Sequence, residues 1–139
     1  MVNIYIQTDA KSPKRQSAHA IFTLSVMTPK GPADATWIEE LEGTANEVEL
    51  LALIKAMEHL TADCDIELYT ESRFISSGID WLAGWKKKGW KTAKGQDIAH
   101  KKEWQQLDEL LSERKILTHC KEDHSFRKWQ RFELERLKR

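Results

Sequence analysis

Long apolar runs, cysteine, proline, glycine and net charge are all scarce in this chain of 139 residues. No apolar stretch approaches the roughly 18 residues of a membrane-spanning helix, so the sequence offers no candidate span. The first residues, Met1-Val2-Asn3-Ile4, show no basic leader before an apolar block, so no signal peptide is expected. Two cysteines, Cys64 and Cys120, form neither a CxxC motif nor a metal-ligand spacing, which leaves no disulfide framework to expect. They read as reduced, mostly buried thiols of a cytoplasmic protein. Three prolines and six glycines leave no low-complexity linker, and no internal repeat is visible. Hydrophobic residues at 40% and charged residues at 32% fit one globular domain over 1–139.

Net charge is also missing: 22 basic residues balance 22 acidic ones. The balance conceals sorting along the chain. Residues 34–49 hold six acids (Asp34, Glu39, Glu40, Glu42, Glu47, Glu49) and no base. Residues 86–102 hold seven lysines (Lys86, Lys87, Lys88, Lys91, Lys94, Lys101, Lys102) and one acid, Asp97. A polyanion responds to such local clusters rather than to the total, so neutrality does not exclude a nucleic-acid partner.

Hydrophobic periodicity supplies the elements. Residues 2–9, 18–27, 35–42, 65–70 and 115–120 read as strands, with a turn over Thr28–Pro32. Leu50, Leu53, Ile54 and Met57 fall at i, i+3, i+4, i+7 and predict a helix capped by Thr44. Residues 72–88, with a break near Gly78, 101–112 and 125–138 predict three more helices. Three strands followed by alternating helices and strands imply a mixed α/β sheet covered on both faces.

Three acids occupy the ends of these elements. Asp9 ends the first strand, Glu49 opens the first helix and Glu71 ends the fourth strand. Carboxylates gathered at one sheet end repel one another unless cations fill the gap, and oxygen-only ligands suit Mg²⁺ or Mn²⁺. Each has a plainer reading: a turn residue for Asp9, and a helix-start acid favoured by the macrodipole for Glu49 and Glu71.

The order of elements and the motifs together resemble ribonuclease H, in its bacterial type 1 form, over nearly the whole chain. The segment Trp85-Lys86-Lys87-Lys88-Gly89-Trp90-Lys91-Thr92 resembles the family's basic handle, placed here at about 81–102. Thr8-Asp9, Glu49-Leu50 with Asn46 before it, and Thr70-Glu71-Ser72 resemble its first three catalytic motifs. The resemblance implies a five-stranded sheet of order 3-2-1-4-5 and two divalent ions, Mg²⁺ or Mn²⁺, held by Asp9, Glu49, Glu71 and Glu133. It further implies a loop histidine, His124, and substrate contacts from Thr44, Asn46, Lys86, Lys87, Lys88, Trp90 and Lys91. For Trp90, packing along a sugar–phosphate backbone and anchoring the handle both remain open. The implied reaction is hydrolysis of the RNA strand of an RNA–DNA hybrid by a monomeric enzyme.

The chain departs from the family pattern at four places. Glu71 and Glu133 stand where Asp is usual. An alignment without gaps from Lys121 puts Asp123 at the histidine position, one residue before His124. Lys11–Gln16 replaces a glycine-rich stretch. These departures motivate a second reading, a module that binds hybrid or duplex RNA with weakened catalysis. A third, an integrase-like nuclease of the same fold, leaves the handle unexplained.

Overall fold

The structure is a computed structural model that describes residues 1–112 and 114–138. In chain order its elements are β1 (Val2–Thr8), β2 (Gln16–Thr28), β3 (Gly31–Gly43), α1 (Ala45–Glu58), β4 (Ile66–Thr70), α2 (Arg73–Lys87), α3 (Lys101–Leu110), β5 (Ile116–Cys120) and α4 (Arg127–Arg136). The strands form one sheet of order β3-β2-β1-β4-β5. β1–β2 and β2–β3 are antiparallel, while β1–β4 and β4–β5 are parallel. This is the mixed sheet that the sequence predicts.

Alternation along β1 explains the layering. Val2, Ile4 and Ile6 enter the main core with Leu50, Leu53 and Met57 of α1, Ile75 and Leu82 of α2, and Trp104 and Leu107 of α3. Tyr5 and Gln7 face the other way, toward α4. The second face is polar where α4 meets it. Gln130, fully buried, donates from Nε2 to the Tyr5 carbonyl at 3.0 Å and to Thr23 Oγ1 at 3.1 Å. Gln7 Nε2 donates to Gln130 Oε1 at 3.2 Å and to the Arg127 carbonyl at 2.8 Å. A buried polar side chain is tolerated only when its hydrogen bonds are made, so this network fixes where α4 sits along the sheet.

Several boundaries differ from the sequence reading. The hairpin of β2 and β3 is longer than expected, because Thr28 pairs with Gly31 and only Pro29 and Lys30 lie outside the ladder. Gly31, at φ 113°, supplies the backbone conformation that the tight turn needs. α2 has no break at Gly78. That glycine instead makes room for Trp104: a Cβ there would lie 2.1 Å from the indole Cη2. The two cysteines are unpaired and half-buried rather than mostly buried. Among the described residues, no helix is long and apolar enough to cross a membrane.

Candidate active site

β1 and β4 are parallel neighbours, with Ile6 opposite Thr70, so their C-terminal ends lie side by side. Asp9 and Glu71 follow directly. The Asp9 amide donates to the His19 carbonyl at 3.0 Å, and the His19 amide donates to Asp9 Oδ1 at 2.7 Å, which extends the β1–β2 ladder past its last strand pair. The His19 ring lies 3.3 Å from Asp9 Oδ2. Thr44 caps α1 through a capping box, accepting from the Glu47 amide at 3.2 Å while Glu47 Oε1 accepts from the Thr44 amide at 3.1 Å. That cap aims the first turn of α1 at the sheet end, where Thr8 Oγ1 donates to Glu49 Oε1 at 3.0 Å.

Glu49 is the most perturbed group there. Although the residue as a whole is partly exposed, Oε2 is shut off from solvent and has no hydrogen-bond partner among the described residues. Burial pushes its carboxyl up to about 7; the Thr8 hydrogen bond opposes that shift and the Glu71 charge adds to it. His124 also reaches this end. Its ring packs 4.5 Å from Tyr5 and 5.3 Å from Tyr69, and its Nδ1 accepts from the Phe126 amide at 3.2 Å. Burial lowers its pKa more than the nearby Glu71 raises it, so the neutral imidazole is favoured. Asp123 is exposed and, among the described residues, accepts only from the His124 amide.

Glu71 is held by cations from α4. Its Oε1 accepts from Arg127 Nη2 at 2.7 Å, Arg127 Nε at 3.2 Å and Arg131 Nη2 at 3.3 Å. Glu133 is elsewhere. Arg127 lies over Gln7 and Gln130 over Tyr5, so α4 runs back along β1, away from Asp9. At 100° per residue, the arginines and Glu133 flank the buried Gln130–Leu134 stripe on opposite sides, about 140° apart. The Glu133 carboxylate accepts from Arg136 at 2.6 Å.

As a cage for divalent cations, then, the site divides. Asp9 and Glu49 offer oxygen donors, and the orphaned Oε2 of Glu49 lacks a partner of the kind a cation or water provides. Glu71 is spent on two guanidinium groups, and Glu133 is not brought to the others. Among the described residues, no three His, Cys, Asp or Glu side chains gather closely enough to hold a metal ion. In this arrangement the four residues do not fit the four-carboxylate, two-ion cage. Sequence reasoning missed Arg127 and Arg131. Their i, i+4 spacing was the available signal, but it points at an acid only once β4 places Glu71.

The handle leaves the C-terminal end of α2. Gly89 and Trp90 both adopt positive φ, and the chain returns through a bridge between Lys91 and Asp97. Trp90 packs against the core, and its carbonyl accepts from the Ile98 amide, so it anchors the handle. Phe74, Trp104, Trp85 and Trp81 run in a chain of ring contacts beneath it. Lys86 pairs with Asp108 at 3.2 Å and Lys91 with Asp97 at 2.5 Å. Lys87 and Lys88 are exposed and make no ion pair among the described residues. A groove of about 500 Å³ opens between Trp81, Trp85, Lys88 and Lys91. A second, of about 460 Å³, lies between Thr44, Asn46, Lys11 and His100. It abuts the Lys11–Gln16 loop, which Gln16 closes by donating to the Ser12 and Lys14 carbonyls.

Comparison with known proteins fits this architecture. The family model for RNase H matches residues 2–126. A ribonuclease H of Pseudomonas fluorescens is 38% identical over 93 residues, which span 66% of this chain and 62% of that protein. Among solved structures, LC9-RNase H1, described as a type 1 RNase H with the type 2 active-site motif, superposes with a TM-score of 0.71 at 19% identity. That match covers 98% of this chain and 69% of the other. The foamy viral protease-reverse transcriptase in complex with RNA/DNA hybrid gives a TM-score of 0.68 at 15% identity, over 96% of this chain and 19% of that one. With the family model covering all but the ends of the sequence, the chain belongs to the RNase H family.

Proposed function

We propose that this protein is a ribonuclease H that cleaves the RNA strand of an RNA–DNA hybrid, leaving 3′-hydroxyl and 5′-phosphate ends. The observation that carries this reading is the Glu49 carboxyl. It is tied to the end of β1 by Thr8, the residue before Asp9, and its Oε2 is shut from solvent with no hydrogen-bond partner among the described residues. A buried oxygen without a partner costs stability, and such costs concentrate at sites that act on a ligand. Family membership and the lysine-rich handle support the same reading. Lys87 and Lys88 face solvent, where they can meet backbone phosphates, and recognition by duplex shape and 2′-hydroxyls needs no base-specific contact. The family chemistry draws on Mg²⁺ or Mn²⁺, which would activate water and steady the leaving oxygen; in this chain Asp9 and Glu49 would be the oxygen donors to such an ion. His124, whose imidazole burial favours as neutral with Glu71 nearby, would take up or pass a proton at Nε2 as product leaves.

A second reading is favoured by one observation, the pairing of Glu71 with Arg127 and Arg131. On that reading the protein binds the hybrid without cutting it. One assay separates the two: a hybrid labelled on both strands, incubated with protein and either Mg²⁺ or Mn²⁺. The expected result is fragmentation of the RNA strand with the DNA strand intact. Retained binding with an intact RNA strand would overturn the enzyme reading and leave the binding module.

A further inference from the structure

We propose that Arg127 and Arg131 form a built-in counter-cation for Glu71, one that holds the carboxylate end closed to divalent metal until the guanidinium groups are displaced. Three N–H donors from two arginines converge on a single oxygen, Oε1, at 2.7–3.3 Å. A guanidinium keeps its charge at any physiological pH and grips a carboxylate through several fixed donors, so it is a strong competitor for that oxygen. A divalent ion approaching Glu71 meets two positive charges already in place and is repelled by both. Its attraction to the carboxylate is correspondingly offset.

The clamp is held in register. Gln7 grips the main-chain carbonyl of Arg127 itself, and Gln130, one residue before Arg131, is locked to Tyr5 and Thr23. Sliding α4 would break these buried hydrogen bonds, whereas the arginine side chains can swing away without moving the helix. Arg131 is the looser of the two, with its side chain 62% exposed against 26% for Arg127. Phosphates offer guanidinium groups an equivalent partner, so an incoming nucleic-acid backbone is the natural agent to draw them off Glu71. Metal would then enter with the substrate rather than before it. This last step rests on the proposed function; the clamp itself does not.

The test measures metal binding in the absence of nucleic acid. Mn²⁺ and Mg²⁺ are titrated by calorimetry and by thermal melting into wild type, Arg131→Ala, Arg127→Gln/Arg131→Gln and Arg127→Lys/Arg131→Lys. Metal-free melting and circular dichroism verify that each variant is folded. The double glutamine variant should bind Mn²⁺ at least about tenfold more tightly than wild type. Its melting temperature should rise with metal by about 2 °C or more beyond any wild-type shift. Arg131→Ala should fall between, and the lysine variant, which keeps both charges, should resemble wild type. Equal affinity in wild type and the double glutamine variant would overturn the proposal, as would an absence of binding in both. Failure of the functional reading looks different: the glutamine variant would gain metal while no protein cut the hybrid.

Discussion

The handle and the carboxylate end both pair cations with carboxylates, but in different surroundings. In the handle, Lys86 is 67% exposed opposite an Asp108 side chain that is 24% exposed, and Lys91 and Asp97 are both about half exposed. At the carboxylate end, Arg127 and Glu71 are each only about a quarter exposed. Pairs with an exposed lysine contribute little to stability, so a phosphate can replace the acid at little cost. A half-buried arginine pair with several donors is harder to exchange, because breaking it leaves a poorly hydrated charge behind. Burial, more than residue type, separates a surface ready to change partners from one that must be unlocked first.

Removing charge from the enclosed end should have the largest effect. Asp9→Asn keeps the volume and the acceptor for the His19 amide but loses the negative charge, and it should lower the cleavage rate by at least about a hundredfold while the fold persists. A rate within tenfold of wild type, measured on labelled hybrid, would mean that Asp9 only extends the β1–β2 ladder.

Glu49→Gln tests the same enclosure through pH. The folded protein holds a proton on Glu49 up to about pH 7, whereas the unfolded chain releases it near the ordinary value of 4.5. The native state therefore binds more protons between these values, and wild-type stability should fall as pH rises through that window. Glutamine removes this slope. Without divalent metal, the variant should match wild type near pH 4 and exceed it by roughly 1–3 kcal/mol at pH 8. Parallel stability curves from denaturant titrations across pH 4–8 would show that Glu49 is not enclosed in solution.

The open region should respond more mildly. Replacing Lys86, Lys87 and Lys88 by alanine should weaken hybrid binding. The log–log salt dependence should flatten by up to about 0.9 per lost phosphate contact, with turnover at saturating hybrid nearly unchanged. An unaltered salt slope would make these lysines an ordinary solvated face.

Much of this was legible in the sequence. Alternation in β1, β2 and β4 and helical periodicity in α1 and α3 are strong signals, and they place the elements with Asp9, Glu49 and Glu71 at their ends; the strand order comes from the family resemblance, not from the pattern. What the sequence hid was the register of α4. A glutamine reads as a surface residue, yet Gln130 is the buried contact that fixes the helix, and an alignment without gaps cannot sense a hydrogen-bond network. Glu133 therefore looked like a fourth ligand, while its place beside Arg136 depends on how α4 is rotated. Gly78 misled for a related reason. A glycine inside a helix suggests a break, and only the tertiary approach of Trp104 shows that it is a notch.

That notch has a consequence for scale. α2 begins two residues after Glu71 and ends among the handle lysines, and with Gly78 seated on Trp104 it is one uninterrupted rod of 15 residues. At 1.5 Å per residue it spans roughly 22 Å. It therefore works as a ruler between the carboxylates and the grip. Adding or deleting one residue would change the length by only about 1.5 Å but turn the grip by about 100° around the rod, so the bearing of the handle is more sensitive to an indel than its distance.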